Sequence, residues 1–258
     1  MNKSNTNFLH DTIKHKDMIF TFDGNSKITA NNGTFENPKL NAFSLVQIQD
    51  CPGSTSTCRK LCYVHGLQKN AKNIHNSYKE NSFNIKKILQ SNEDTNQVIN
   101  LFSNWISSNC IEFRWHVSGD IFSRDYAEFI KQVCFKTPSV KFWIYTKSFE
   151  YLEHIVNLDN LIVNISADKD NIDLAKRKAK LYDLRICYLS EEGEIPELSN
   201  DSVIFPNYNL RGRDLDTPTS HWWWQSLSKK NKDMICPVDF YGQSEDNRCG
   251  KCTKCMVN

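Results

Sequence analysis

Three strand-and-turn units decide the fold: Glu112-Phe-Arg-Trp-His-Val-Ser-Gly-Asp120, Val140-Lys-Phe-Trp-Ile-Tyr-Thr-Lys-Ser148 and Leu161-Ile-Val-Asn-Ile-Ser-Ala-Asp168. Each is a short run of β-branched and aromatic residues closed by a small or polar cluster, which is the signature of a strand entering a turn. Between the first two, Arg124 to Phe135 carries Tyr126, Phe129, Ile130 and Val133 at helical spacing. Phe149 to Val156 reads as a short helix before the third unit, and Asn171 to Leu181 as a charged helix after it. Strands alternating with helices predict βαβ units on a parallel sheet, wound by right-handed crossovers.

The same reading extends outward. Phe43-Ser-Leu-Val-Gln-Ile-Gln49 reads as a strand that runs into the turn Cys51-Pro52-Gly53. Leu184-Arg-Ile-Cys-Tyr188 and Ser202-Val-Ile-Phe205 complete six core strands, and Ile74 to Gln90 and Asn96 to Ser107 read as helices. The expected class is α/β, with the parallel sheet wound into a barrel or left as an open sheet. The expected boundaries are an N-terminal arm with one short strand over 1–42, a barrel core over 43–205 and a cysteine-rich C-terminal module over 206–258. Within the arm, residues 1–17 read as mobile and Met18 to Phe22 as the strand. The C-terminal module holds Arg211-Gly212-Arg213 and the run His221-Trp222-Trp223-Trp224, whose rings suit core packing better than base stacking.

In such folds chemistry gathers at the carboxyl ends of the strands. That rim would carry His116, Lys147, Asn164, Ser166 and Asp168 as substrate or cofactor candidates, with His116, Lys147 and Asp168 the catalytic ones. Side-chain alternation places Arg114, His116 and Ser118 on one polar face, expected to look into a wet interior. The alternatives are a core histidine for His116, solvent for Lys147 and a helix cap for Asp168. The basic run Lys176 to Lys180 reads as a solvated helix face.

Composition narrows the function. The chain has 258 residues and a net charge of +2, so there is no overall basic field to argue for nucleic-acid binding. Met1 to Asp11 lacks an apolar signal core, and no stretch reaches the ~18 apolar residues of a membrane span. The expected setting is the cytoplasm, where thiols stay reduced. Ten cysteines then need an explanation other than disulfides. Cys110, Cys134 and Cys187 are scattered and read as packing. The other seven form two groups.

The C-terminal group, Cys236-x12-Cys249-x2-Cys252-x2-Cys255, offers four thiolates for a [4Fe–4S] cluster or tetrahedral Zn²⁺, and its Cys-x2-Cys-x2-Cys run favours the cluster. Arg248, Lys251 and Lys254 interleave with it and would offset its negative charge. The first group, Cys51-x6-Cys58-x3-Cys62, has three thiols on a strand-following loop, with His65 as a possible substitute ligand. Three protein ligands on a [4Fe–4S] cluster leave one iron open.

A three-cysteine loop after the first of six βα strands resembles the radical S-adenosylmethionine (SAM) superfamily. That resemblance implies a partial (β/α)6 TIM-like barrel of radical SAM type, reductive cleavage of SAM and radical modification of a substrate. It implies SAM contacts at Ser118, Gly119 and Asp120, with Asp120 accepting from the SAM ammonium; Asn164 and Ser166 are cofactor-binding candidates by their place on the same rim. The spacing departs from that superfamily's usual Cys-x3-Cys-x2-Cys. More closely, Cys51-Pro52-Gly53, Cys58-Arg-Lys-Leu-Cys62-Tyr63, His116-Val-Ser-Gly-Asp120 and Tyr145-Thr-Lys-Ser148 resemble the phage gene product 88 family, over residues 43–255. This implies a host-cell cytoplasmic setting and a nucleotide, nucleic acid or peptide as substrate. The competing expectation is a zinc- or cluster-binding protein without radical chemistry that binds nucleic acid or a partner protein.

Overall fold

The computed structural model describes residues 11–23, 41–66, 72–191, 195–206, 222–241, 252 and 254–256. Eight strands form one sheet in chain order: β1 (Thr12–His15), β2 (Met18–Asp23), β3 (Asn41–Phe43), β4 (Glu112–Trp115), β5 (Lys141–Thr146), β6 (Leu161–Ala167), β7 (Arg185–Ser190) and β8 (Val203–Pro206). β1, β2 and β3 pair antiparallel, and every pair from β3 to β8 is parallel. The chain is thus α/β with a mostly parallel sheet.

The crossovers carry the helices. α1 (Ser56–Leu61), α2 (Lys72–Ile88) and α3 (Asn92–Asn109) lie between β3 and β4, and α4 (Arg124–Lys136) precedes β5. A 3₁₀ turn (Phe149–Tyr151) and α5 (Leu152–Ile155) precede β6, and α6 (Ile172–Tyr182) precedes β7. Parallel neighbours in chain order put their right-handed crossovers on one side of a sheet. The buried residues agree. Phe113, Trp115, Phe142, Ile144, Val163, Ile165 and Ile186 face Ile85, Phe102, Phe129, Ile130 and Ala175 of the helices in one continuous apolar cluster. Its aromatic centre includes Phe102 edge-on to Phe43 at 5.0 Å and stacked parallel to Trp115 at 6.4 Å.

Two expectations near the N-terminus are corrected. Thr12 to His15 is not an arm but β1, hairpinned on β2 through Lys16-Asp17, where Lys16 takes the left-handed φ of 55°. Asp94 explains this, because its carboxylate receives both His15 and Lys16. The strand expected over 43–49 is only Asn41–Phe43. Leu45 N–H still reaches Ser118 O, but Val46 N–H turns to the Ser82 hydroxyl and Ile48 adopts a φ of 66°. These side-chain and turn bonds satisfy the backbone without a ladder.

The opposite, inner face of the sheet carries Ala42, Trp143, Ile162, Asn164, Cys187 and Val203. Part of the C-terminus lies against it, through Cys236, Cys255 and Met256. α7 (Trp222–Ser226), α8 (Lys229–Met234) and α9 (Pro237–Tyr241) return to the helix-side core through Trp223, Met234, Ile235 and Phe240. Trp223 is fully buried and Trp224 stacks on Phe240 at 4.3 Å, which is the packing role expected of the tryptophan run. Arg211 to Arg213 and His221 lie outside the described residues.

Candidate functional site

The first cysteine group sits at the carboxyl end of β3, and hydrogen bonds tie it to the next three strands. Thr55 caps α1 by accepting the Cys58 N–H at 3.0 Å. The Thr55 hydroxyl donates to Asp168 Oδ2 beyond β6 at 2.6 Å. Lys147 Nζ, beyond β5, donates to the same oxygen at 2.7 Å. Asp170 accepts from the Ser56 hydroxyl at 2.6 Å and from the Thr57 N–H at 2.8 Å. Asp168 is fully buried and Lys147 nearly so. Their ion pair is therefore a fixed part of the rim and not a surface contact. Asp168 is not the cap of α6, a position held by Asn171.

The Cys51-Pro52-Gly53 turn is pressed against the end of β5. A β-carbon at Gly53 would stand 2.0 Å from Lys147 O, so only glycine fits. Gly119, at a φ of 83°, is equally constrained, because a β-carbon there would meet Leu45 Cβ at 2.5 Å. Asp120 locks the two turns together. Its N–H donates to Asp50 O at 2.8 Å, and its carboxylate accepts the Thr146 hydroxyl and Ile121 N–H at 2.7 Å each and the Lys147 N–H at 2.8 Å. Burial pushes the Asp120 carboxyl up, against the pull of these donors.

The resemblance expects Asp120 to accept from a ligand's ammonium; in the structure its oxygens are buried and taken by protein donors, and it braces the rim. The face expected for His116 is corrected. It adopts a φ of 63° just beyond β4, so strand alternation stops at Trp115. Its ring turns to the helix side, where Nε2 pairs with Tyr126 Oη at 2.8 Å. Burial, with a smaller push from Arg114, brings its pKa down to about 3, a neutral core imidazole. Arg114 keeps the inner face, stacked over Tyr145 at 4.7 Å. Ser118 is buried, and its hydroxyl has no hydrogen-bond partner among the described residues. Ser166 is half-buried, and its carbonyl accepts from Lys147 Nζ at 3.5 Å.

Cys51, Cys58 and Cys62 are all half-buried. Burial raises each thiol. Asp120 adds to this at Cys51, the Lys147 charge opposes it at Cys58, and the N–H groups of Val64 and His65 oppose it at Cys62. The Cys51 and Cys58 thiols also sense the charge of their neighbours in the group. His65 turns back onto α1, with Nε2 at 2.8 Å from Arg59 O. Tyr63, beside Cys62, donates its hydroxyl to Val117 O. Among the described residues, no three His, Cys, Asp or Glu side chains stand at metal-ligand spacing.

Of the C-terminal group, Cys249 lies outside the described residues, as do Arg248 and Lys251. Cys236 is buried, and Cys252 and Cys255 are half-buried. Asn164 belongs to this region and not to the cysteine-loop rim. Its amide donates to Cys255 O at 3.1 Å and to Ile144 O at 3.3 Å. Cys255 is lowered chiefly by the neighbouring Cys187 thiol, then by Tyr145, Arg185 and Arg114, while burial raises Cys187. Cys110 and Cys134 are buried in the helix-side core, as expected. Thr55 and Asp170 escaped the sequence reading. Thr55, three residues before Cys58, has the spacing of a helix cap, which is a usable signal.

Among the described residues, no helix is long and apolar enough to cross a membrane. The model of the family described as gene product 88 matches residues 18–258. Residues of this chain are 33% identical over 138 positions to the Gene 88 protein of Mycobacterium phage L5, covering 49% of this chain and 55% of that one. The Gene 88 protein of Mycobacterium phage D29 is 31% identical over 138 positions with the same coverage. The chain therefore spans about half the length of the curated relatives it matches. No solved structure matches it.

Proposed function

The chain belongs to the gene product 88 family, and from that premise and the rim geometry we propose that it is an iron–sulfur protein of radical SAM type. In this reading the six parallel strands form a partial (β/α)6 barrel, and Cys51, Cys58 and Cys62 hold a [4Fe–4S] cluster at its rim. The observation that carries it is the loop itself: three half-buried thiols at the carboxyl end of the first parallel strand, before, within and just after α1, which Thr55 ties to the Asp168–Lys147 pair. This donor set fits a cluster with one open iron. When bound, the cluster supplies one-electron reduction of S-adenosylmethionine.

The chain's own residues then hold the site. Lys147 sets a cation beside Cys58, which favours its thiolate. Asp120 fixes the Cys51 turn against the β5 end. Gly53 and Gly119 let the turns close on one another. The occupied carboxylate of Asp120 favours a second reading, in which the protein holds a cluster or zinc without using SAM.

Anaerobic purification with iron and sulfide analysis tests the first claim. Iron and sulfide that disappear in Cys58→Ser support a cluster on this loop, and zinc alone overturns it. Incubation with SAM and dithionite then divides the readings: 5′-deoxyadenosine supports the radical type, and an iron-loaded protein that binds no SAM supports the second.

A further inference from the structure

We propose that Cys187 is a ligand of the C-terminal metal centre, joining Cys236 and Cys255, with the fourth thiolate drawn from Cys249 or Cys252. The proposal rests on reading the cysteine-rich C-terminus as metal-binding, and it changes which thiols do the binding. Sequence spacing groups Cys236 with three C-terminal neighbours and leaves Cys187 as packing. In space, Cys187 and Cys236 share one buried cluster with Val203, and Cys255 packs against it with Tyr145 and Phe205. These thiols come from three separate parts of the chain, so their meeting is a product of the fold.

Each is fixed independently. Cys187 stands on the inner face of β7, paired with Ser166 on β6 and Val203 on β8. Cys236 is held to β8, since its N–H donates to Ile204 O at 2.8 Å beside the Ile204–Ile235 bridge. The C-terminal residues are held on both sides of Cys187. Asn164 on β6 donates to Cys255 O at 3.1 Å, and Arg185 on β7 donates to Lys254 O at 2.7 Å. The Cys187 thiol itself donates to Asn164 Oδ1 at 3.8 Å.

The surroundings suit bound thiolates. Several thiolates around a divalent ion leave net negative charge, which a buried site must offset. Arg185 donates to Lys254 O, next to Cys255, and Arg114 stacks over Tyr145, which packs on the same cluster. Amide and guanidinium groups just outside a ligand set orient and stabilise it. Cys134 provides the contrast, buried among apolar side chains of the helix-side core. All-sulfur sites select zinc or iron–sulfur clusters. Cys255 packs against the cluster that holds Cys187 and Cys236, short of ligand spacing among the described residues, so loading would draw the thiols in, at the expense of metal-binding free energy.

The test uses the full chain carrying Cys51→Ser, Cys58→Ser and Cys62→Ser, so that only C-terminal binding is read, titrated anaerobically with cobalt(II). The readouts are affinity and the intensity of the thiolate-to-cobalt band, which grows with each bound thiolate. Adding Cys187→Ser should weaken binding by at least roughly tenfold and lower the band, as Cys236→Ser does. Cys134→Ser should change neither, and one of Cys249→Ser and Cys252→Ser should be nearly silent. Cys187→Ala repeats the measurement should the serine variant fail to fold, with circular dichroism as the check. A folded Cys187 variant with unchanged affinity and band overturns this inference alone, provided Cys236→Ser loses binding. A chain that binds no cobalt through its C-terminal thiols overturns this inference and the underlying metal reading together.

Discussion

The two thiol regions are held in different ways. At the β3 rim, Cys51, Cys58 and Cys62 are half-buried on a loop whose position comes from polar ties: Thr55 and Lys147 to Asp168, Asp170 to α1, and Asp120 across the turns. On the inner face, Cys187 and Cys236 are set by strand registry and apolar packing, and the described polar ties act on the backbone that brings Cys255 to them. The difference teaches where each region is vulnerable. Removing one charge disorganises the first, whereas the second yields only to loss of the groups that hold the C-terminal residues.

The largest expected effect tests that claim at the first region. Lys147→Met leaves the fully buried Asp168 carboxylate without its cation, and breaking a buried pair from one side costs about 3–5 kcal/mol. Urea unfolding reads the loss, and hydrogen exchange reads its place. Amides of residues 55–58 should exchange faster while those of 254–256 keep their protection. A uniform rise in exchange would show that the two regions are one cooperative unit.

Gly53→Ala comes next. Its new β-carbon would lie 2.0 Å from a backbone oxygen, a clash that only movement of the cysteine turn relieves. Overpacking of this kind costs about 1–3 kcal/mol. Gly66→Ala is the control, with nothing within 4 Å, and should stay within about 0.5 kcal/mol of wild type. Equal losses in both would remove the claim that the turn is wedged against Lys147.

The same contrast explains what the sequence made legible. The parallel strands from Glu112 onward were readable because each is a buried run ending in a polar cluster, and helical spacing marks α4 between them. The cysteine-loop rim was readable as a place, since chain order puts strand ends together. Side-chain direction was not. A single left-handed residue, His116, reverses the alternation that strand reasoning depends on. Asp120 was visible as an acid at a strand end, but nothing local announces that Thr146 and Lys147, far along the chain, would take its oxygens. Cys187 was unreadable for a similar reason, because its thiol neighbours are distant in sequence.

His116 supplies an effect of known sign that is absent at neutral pH and grows with acid. Burial keeps it neutral in the folded protein, with a pKa of about 3, while the unfolded chain takes up a proton below about 6.5. The stability this gives is complete above pH ~6.5 and is lost as pH falls toward 3, at up to about 1.4 kcal/mol per unit. His116→Asn tolerates the left-handed backbone and cannot titrate. Its stability deficit against wild type, measured by urea unfolding, should shrink steadily from pH 7 to pH 4. A constant deficit would mean that His116 is protonated in the folded state, and with that the helix-side core would not be as dry as its apolar lining implies.

The smallest effect probes the second region. Arg185 holds the C-terminus through a hydrogen bond from its guanidinium to Lys254 O at 2.7 Å, in a partly solvated setting. Arg185→Met keeps much of the side-chain stem and removes that bond, at about 0.5–1.5 kcal/mol. Because Cys236 and Cys187 are placed by β8 and β7 themselves, global unfolding should barely move. The C-terminal residues should instead open more often while the strands stay closed. Limited proteolysis then cleaves near Lys254 several times faster than in wild type, with the Lys147–Asp168 rim equally resistant in both. If the rim loosens as well, packing across the sheet couples the two thiol regions, and a metal bound at either one would be felt at the other.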